Sequence, residues 1–262
     1  MKFEVKNDVI WSLEYNDENL INPFGIETAD TSSFFSLESM VGYRYKEIEE
    51  WSNYSNQRYE YQKTIGMHNG KWKLHGVEEI DNNRLVRTVN LVCLEDTLFV
   101  DFVMRFRVKK DFFDFAYIDG KKIPHRNTNI YYQYPVSHVY LTGKYRADIK
   151  VNDCRMPKKM APYMYVRDHE DEWVIHARML PQDSERKVIK LCNSFCKTRP
   201  IPQWMTNILC SNEKVYDYLK YHNERTPYTN KIMRRISPNA FPLVLVKKGE
   251  ELSWTIEMTI TG

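Results

Sequence analysis

One stretch decides the fold class: Glu251-Leu-Ser-Trp-Thr-Ile-Glu-Met-Thr-Ile-Thr261. In it, an apolar residue at every second position alternates with Glu, Ser or Thr. Side chains of a β-strand point to opposite faces of the sheet with a period of two residues, so this pattern predicts a strand with one buried and one solvated face. Such a strand is typical of an antiparallel sheet packed on one side. We therefore expect the following residues to lie inside: Leu252, Trp254, Ile256 and Met258.

Turn signals separate similar runs along most of the chain. Asp119-Gly120, between Phe113–Ile118 and Lys121–Pro124, is the strongest short hairpin signal. Asp168–Asp171 and Glu95-Asp96 are interpreted as two further hairpin turns. These runs predict an all-β protein, a large antiparallel β-sandwich built from two stacked sheets.

Helical periodicity is limited to two places. Asn212–Tyr221 follows a suitable N-cap residue, Ser211, and a short helix is also expected near Leu37–Trp51. We therefore expect a few short helices beside the strands. No linker rich in Pro, Gly or Ser divides the chain, so a single domain covering residues 1–262 is expected.

Composition excludes several classes of function. The 38 basic and 35 acidic residues give a net charge of +3, which is too balanced to indicate a nucleic-acid partner. No stretch approaches the ~18 apolar residues of a transmembrane helix, so no membrane partner is expected. The segment after Met1 lacks the apolar region of a secretory signal, and a cytoplasmic location is expected.

The five cysteines form no Cys-x-x-Cys pair, so free thiols are expected, with neither a disulfide nor a structural metal. Aromatic residues are abundant, at 14% of the chain. Their rings fit the half-buried surface of a sheet, and they can also stack on a sugar.

Histidines and carboxylates occur together in three segments, Asn69–Gly76, Pro135–Gly143 and Tyr221–Asn230. With these segments the chain resembles the galactose mutarotase-like (aldose 1-epimerase) superfamily. Four short motifs fall in that family's order: Leu74-His75-Gly76, His138-Val-Tyr140, Glu224-Arg-Thr-Pro227 and Lys247-Lys-Gly249-Glu250. The sequence departs from the family pattern at Val77, where a second glycine is expected, and it has no clear match for the family's early arginine.

The resemblance implies a large antiparallel super-sandwich and a sugar isomerase or epimerase that needs no metal or organic cofactor. It implies that His138 protonates the ring oxygen of a sugar while Glu224 takes the proton of the anomeric hydroxyl. His75 would stabilise the charge that develops. The expected partner is a carbohydrate, either a small molecule or an oligosaccharide, and the sequence is compatible with a homodimer.

Four further residues are candidates for substrate binding. The basic pair His125-Arg126 could hold a carboxylate or phosphate, and Trp72 and Tyr140 could contact a sugar ring. Two other functions stay open at this point. One is a non-catalytic carbohydrate-binding sandwich that stacks sugars on Trp51, Trp72 and Trp204, and the other is a polysaccharide lyase.

Overall fold

The computed structural model describes residues 1–30, 34–36, 46–67, 70–127, 131–134, 136–156, 160–181 and 244–262. The strands are, in chain order, β1 (Lys2–Lys6), β2 (Val9–Tyr15), β3 (Glu18–Asn19), β4 (Ile26–Asp30), β5 (Phe34–Ser36), β6 (Lys46–Tyr54), β7 (Arg58–Met67), β8 (Gly70–Asp81), β9 (Arg84–Glu95), β10 (Thr97–Lys109), β11 (Phe113–Ile118), β12 (Lys121–Pro124), β13 (Tyr131–Tyr134), β14 (His138–Gly143), β15 (Arg146–Arg155), β16 (Met160–His169), β17 (Glu172–Pro181), β18 (Val244–Val246) and β19 (Glu251–Thr261). One 3₁₀ turn, Lys110–Phe112, lies among them.

Within these residues the strands form three antiparallel sheets. A small sheet has the order β1-β2-β3. A seven-stranded sheet has the order β13-β16-β17-β10-β4-β5, with β18 also paired to β10. A nine-stranded sheet has the order β12-β11-β14-β15-β19-β9-β8-β7-β6. The prediction of an all-β sandwich is confirmed.

None of the helical segments in the described ranges is long and apolar enough to cross a membrane. The helix expected near Leu37–Trp51 is wrong from Lys46 onward, because Lys46–Tyr54 forms strand β6 on the edge of the nine-stranded sheet. Pairing with β7 overrides the weak helical spacing. The helix predicted at Asn212–Tyr221 lies outside the described residues.

Two of the three predicted hairpins are confirmed. β11 and β12 pair across Asp119 and Gly120, which have φ angles of 50° and 70°. Positive φ at both central residues is the requirement of the turn that Asp-Gly favours. β16 and β17 pair across the turn at Glu170 and Asp171.

The hairpin predicted at Glu95-Asp96 is wrong. β9 pairs with β8 and β19 in the nine-stranded sheet, whereas β10 pairs with β4, β17 and β18 in the seven-stranded sheet. Neither Glu95 nor Asp96 has the positive φ of a tight hairpin turn, and the chain passes there from one sheet to the other.

The core lies between the two large sheets. In β19 the predicted residues are confirmed as buried, and Ile260 joins them. Glu257 points to the opposite face, but it is buried as well, because Lys150, Asn152 and Arg84 bind its carboxylate. Its pKa is lowered although burial alone would raise it, since bonds from Lys150 and Asn152 favour the charged form.

A buried ion pair within the nine-stranded sheet also reaches the other large sheet. Arg87 of β9 points into the core, and its Nε and Nη2 donate to the carboxylate of Glu78 at 2.6 and 3.1 Å. The same guanidinium donates to the backbone carbonyls of Gly25 and Arg105, the latter in β10. It also packs on the rings of Phe24 and Phe106. Arg87 thereby connects the nine-stranded sheet to the strand that carries Arg105.

Candidate functional site

His75 lies in β8, on the outer face of the nine-stranded sheet. Its neighbours Leu74 and Gly76 point inward, so the alternation along the strand turns the imidazole toward solvent. Its Nε2 is 2.8 Å from Oε1 of Glu60, and its ring lies 5.9 Å from that of Trp51. His75 is thus held in a half-exposed surface network.

His138 begins β14 and lies on the same outer face. Its side chain is 46% exposed, and its Nε2 is 3.1 Å from Oδ1 of Asp148. The bond from Arg146 is the main reason that the pKa of Asp148 is lowered, and His138 adds to the effect. His138 therefore belongs to an ion-pair network on the open face of the sheet.

Tyr140 stands next to His138 and has neighbours on both adjacent strands. Its ring stacks on that of Tyr117 from β11 at 4.5 Å, with 8° between the planes. From β15, the guanidinium of Arg146 lies 4.3 Å from the ring centroid. With both neighbouring strands contributing contacts to the ring, Tyr140 does not offer an open stacking surface in this arrangement.

The structure does not bring His75 and His138 together. Strands β15, β19 and β9 lie between β14 and β8. Four steps between neighbouring strands correspond to roughly 19 Å across the sheet. One sugar ring cannot contact both imidazoles over that distance. Glu224 lies outside the described residues.

Trp72 does not have the role that the sequence suggested. It points inward from β8 and is 2% exposed, so its ring packs in the core instead of on a ligand. Four residues further on, Gly76 also points inward, where a Cβ atom would come within 2.2 Å of the Tyr61 ring. The inner face of β8 is therefore filled by the core.

The pair His125-Arg126 does hold a carboxylate, but that carboxylate belongs to the protein. The backbone N–H groups of Arg126 and Asn127 donate to the two oxygens of buried Asp168 at 3.0 and 2.9 Å. Nε2 of His125 lies 3.3 Å from the same carboxylate and 3.1 Å from the carbonyl oxygen of Glu172. This loop fastens the end of β12 to the β16–β17 hairpin, so the contacts seen for His125 are structural.

A second group of polar side chains lies on the outer face of the seven-stranded sheet, and sequence reasoning did not select it. Adjacent strands place His176 opposite both Arg105 and Tyr165. Tyr163 and Arg178 form the next pair along the same face. Residues that face each other on neighbouring strands point to the same side of the sheet, so these side chains converge.

The contacts of His176 define the protonation state and the orientation of its ring. Nε of Arg105 donates to Nε2 of His176 at 3.0 Å, which leaves the proton of the neutral ring on Nδ1. The ring of Tyr165 lies 4.6 Å away. His176 is 9% exposed, and burial lowers its pKa well below 6.5, with Arg105 and Arg178 adding to the effect. The imidazole is therefore neutral near pH 7, and its orientation is fixed.

The members of this group differ in solvent exposure. Tyr165 and Arg178 are buried, whereas Arg105 and Arg107 are partly exposed. At the accessible end, Arg107 makes a bidentate ion pair with Glu172, whose carboxylate also accepts from Asn22 at 2.8 Å. Ordered hydrogen-bonding groups beside a buried, perturbed histidine are a feature of ligand sites.

The signal for this group is present in the sequence. Met104-Arg-Phe-Arg-Val108 and Ile175-His-Ala-Arg-Met179 alternate apolar residues with cationic or imidazole side chains. A solvated face of a strand explains that pattern equally well. Only the pairing of β10, β16 and β17 shows that the polar positions meet.

One solved structure shares this architecture with a TM-score above 0.5. A protein from Escherichia coli K12 assigned as an aldose 1-epimerase superposes with a TM-score of 0.51 at 6% identity, covering 97% of this chain and 93% of its own. A galactose mutarotase related enzyme from Lactobacillus acidophilus gives a TM-score of 0.49 at 10% identity, covering 100% and 97%. No protein-family model and no curated protein matches the sequence.

The chain therefore has the galactose mutarotase-like fold, and the resemblance inferred from the four short motifs is confirmed at the level of the fold. At these identities the similarity concerns architecture and not activity.

Proposed function

We propose that the protein binds a sugar or sugar derivative on the outer face of the seven-stranded sheet, and that it interconverts two isomers of this ligand by proton transfer. The observation that carries the proposal is the bond from Arg105 to buried His176. A site that holds a neutral imidazole in one orientation is prepared to donate a hydrogen bond from Nδ1. The fold adds support by analogy with the Escherichia coli protein assigned as an aldose 1-epimerase.

The surrounding residues suit a ligand rich in hydroxyl groups. Arg105 and Arg107 are the partly exposed members of the group, and both carry guanidinium donors. Sugars present many hydroxyl oxygens that can accept from such donors. The guanidinium groups, together with the imidazole of His176, therefore match the hydroxyl groups of a sugar.

The chemistry follows from the two oxygens bonded to the anomeric carbon. Opening the ring takes a proton from the anomeric hydroxyl and gives one to the ring oxygen. Glu224, the base proposed from the sequence, could do both in turn, because the two oxygens share one carbon. His176 is proposed to stabilise the negative charge that develops on the ring oxygen, as an oriented neutral imidazole can.

The test is the rate of anomer exchange, measured by two-dimensional exchange NMR on D-glucose, D-galactose and their 6-phosphates. His176→Gln should lower the enzyme-dependent rate by about 10²–10³-fold, the scale for one ordered donor. His138→Gln, at an exposed position, is the matched control and should leave the rate unchanged. Melting curves of both variants check that each still folds.

Other results would contradict the proposed site or the proposed reaction. If His138→Gln abolishes exchange while His176→Gln does not, the site lies on the nine-stranded sheet, as the sequence motifs suggested. If the wild-type protein exchanges none of the sugars but binds one by calorimetry, isomerisation is wrong and the non-catalytic binding function takes its place.

A further inference from the structure

A second surface of the protein, the Trp51 patch, has the features of a carbohydrate-binding site. It consists of Trp51, Glu50, Gln62, His75 and Glu60 on the outer face of β6, β7 and β8. In the register of the strands, Trp51 lies opposite Gln62, and Gln62 lies opposite His75. The row continues to Asn90 of β9 and is roughly 14 Å long, longer than one pyranose ring.

A β-bulge builds the centre of this patch. The pairing of β6 with β7 shifts between Glu49 and Trp51, so Glu50 is the inserted residue. In a regular strand Glu50 and Trp51 would point to opposite faces. Here both side chains lie on the outer face. Glu50 binds Thr64 and Gln62, and the Trp51 ring lies 5.9 Å from the His75 ring. Bulges commonly re-aim side chains at functional sites.

The carboxylates of the patch are held in place and balanced in charge. Glu50 accepts from Thr64 at 2.9 Å and pairs with Lys73 at 3.4 Å. Glu60 binds His75 at 2.8 Å and pairs with Arg58 at 3.2 Å. Each acid already has a cation beside it, so the patch does not select a charged ligand. It offers fixed acceptors for hydroxyl groups instead.

Trp51 supplies the apolar part of the surface. Its side chain is 41% exposed, and β6 is the last strand of the nine-stranded sheet among the described residues, so its outer side is approachable. An exposed indole flanked by fixed carboxylate, amide and imidazole groups matches a sugar, whose C–H face stacks while its hydroxyl groups bond.

We propose that the Trp51 patch binds a neutral oligosaccharide, with one ring on Trp51 and further hydroxyl groups on Glu50, Glu60 and His75. This site is separate from the proposed catalytic one. The patch lies on the outer face of the nine-stranded sheet and His176 on the outer face of the other large sheet, so the core lies between them. The proposal therefore stands or falls independently of the isomerisation.

The experiment is isothermal titration of the whole protein with maltohexaose, cellohexaose and xylohexaose, and with hexagalacturonate as the charged comparison. At least one neutral hexasaccharide should bind. Trp51→Ala should weaken that binding by about tenfold or more, since a stacked ring is lost. Trp11→Ala is the matched control, because Trp11 is also 41% exposed but lies in the small sheet, and it should bind like the wild type.

One further variant sharpens the result. Trp51→Phe should restore part of the affinity that Trp51→Ala loses. The proposal is overturned if none of the neutral hexasaccharides binds, if Trp51→Ala binds as well as Trp11→Ala, or if hexagalacturonate is preferred. It is also overturned if Trp51→Ala changes only the sedimentation behaviour, which would identify a contact between copies of the chain.

Discussion

The ion pair between Arg87 and Glu78 predicts an unequal response to single and double substitution. Glu78→Leu alone leaves a buried guanidinium without its carboxylate, and Arg87→Met alone leaves a buried carboxylate without its guanidinium. The double variant Glu78→Leu/Arg87→Met removes both charges and fills the space with apolar side chains. We expect each single variant to be strongly destabilised. The double variant should be less destabilised than either, because it loses the bonds to the Gly25 and Arg105 carbonyls but leaves no unpaired charge.

The magnitude follows from the contacts. Both residues are buried, at 0% exposure for Arg87 and 3% for Glu78, and two N–H···O bonds join them. Burial raises the pKa of Glu78 and Arg87 opposes that rise, so the ionised carboxylate depends on its partner. Breaking a buried pair by removing one partner costs about 3–5 kcal/mol, whereas replacing both is often neutral or stabilising.

The assay is urea unfolding followed by tryptophan fluorescence. With a slope of about 3 kcal/mol/M, each single variant should lower the midpoint by about 1 M or more. Glu79→Leu is a matched control, because Glu79 is the next residue along β8 but points outward. Single variants that unfold within about 1 kcal/mol of the wild type would refute the reasoning, as would a double variant as unstable as the two single variants combined.

Three more predictions concern the sheets and the site. Ile256→Asp should destabilise by more than about 4 kcal/mol because it buries an unpaired charge, while Thr255→Asp on the outer face should cost under about 1; equal melting points would contradict the assigned faces. The pKa of His176 is lowered in the folded protein, so the folded protein binds fewer protons at this residue than the unfolded chain. The stability of the wild type should therefore decline as the pH falls below about 6.5, and the stability of His176→Gln should decline less. Identical profiles of stability against pH would exclude this contribution. Gly76→Ala should destabilise by about 1–3 kcal/mol, since its Cβ would overlap the Tyr61 ring, and an unchanged melting temperature would show that the ring moves freely.

Local patterns predicted the strands but not their partners. The alternation in Glu251–Thr261 identified the buried face of β19 correctly, because a period of two residues is a property of a single strand. Asp119-Gly120 identified a hairpin, because its turn depends on two residues alone. Glu95-Asp96 did not, since the sheet that a strand joins is decided by distant strands such as β19 and β17.

The candidate site depended on those same distant pairings. His75 and His138 occur in family-like motifs, but sequence order gives no information on the three strands that lie between theirs. The pair His125-Arg126 acts largely through backbone N–H groups, which side-chain reasoning does not consider. His176 was visible as a polar residue in an apolar strand, but its bond with Arg105 arises only when β10 and β17 align.

The most direct test of the central claim is a histidine ¹H–¹⁵N NMR spectrum, recorded before and after addition of the aldose with the fastest anomer exchange. Without ligand, the signal that disappears in His176→Gln should report a neutral ring with its proton on Nδ1. On addition of the sugar, this signal should shift while that of His138 stays in place. A His176 signal that does not shift on addition of the sugar would contradict a sugar site on the seven-stranded sheet, whether or not the His138 signal shifts.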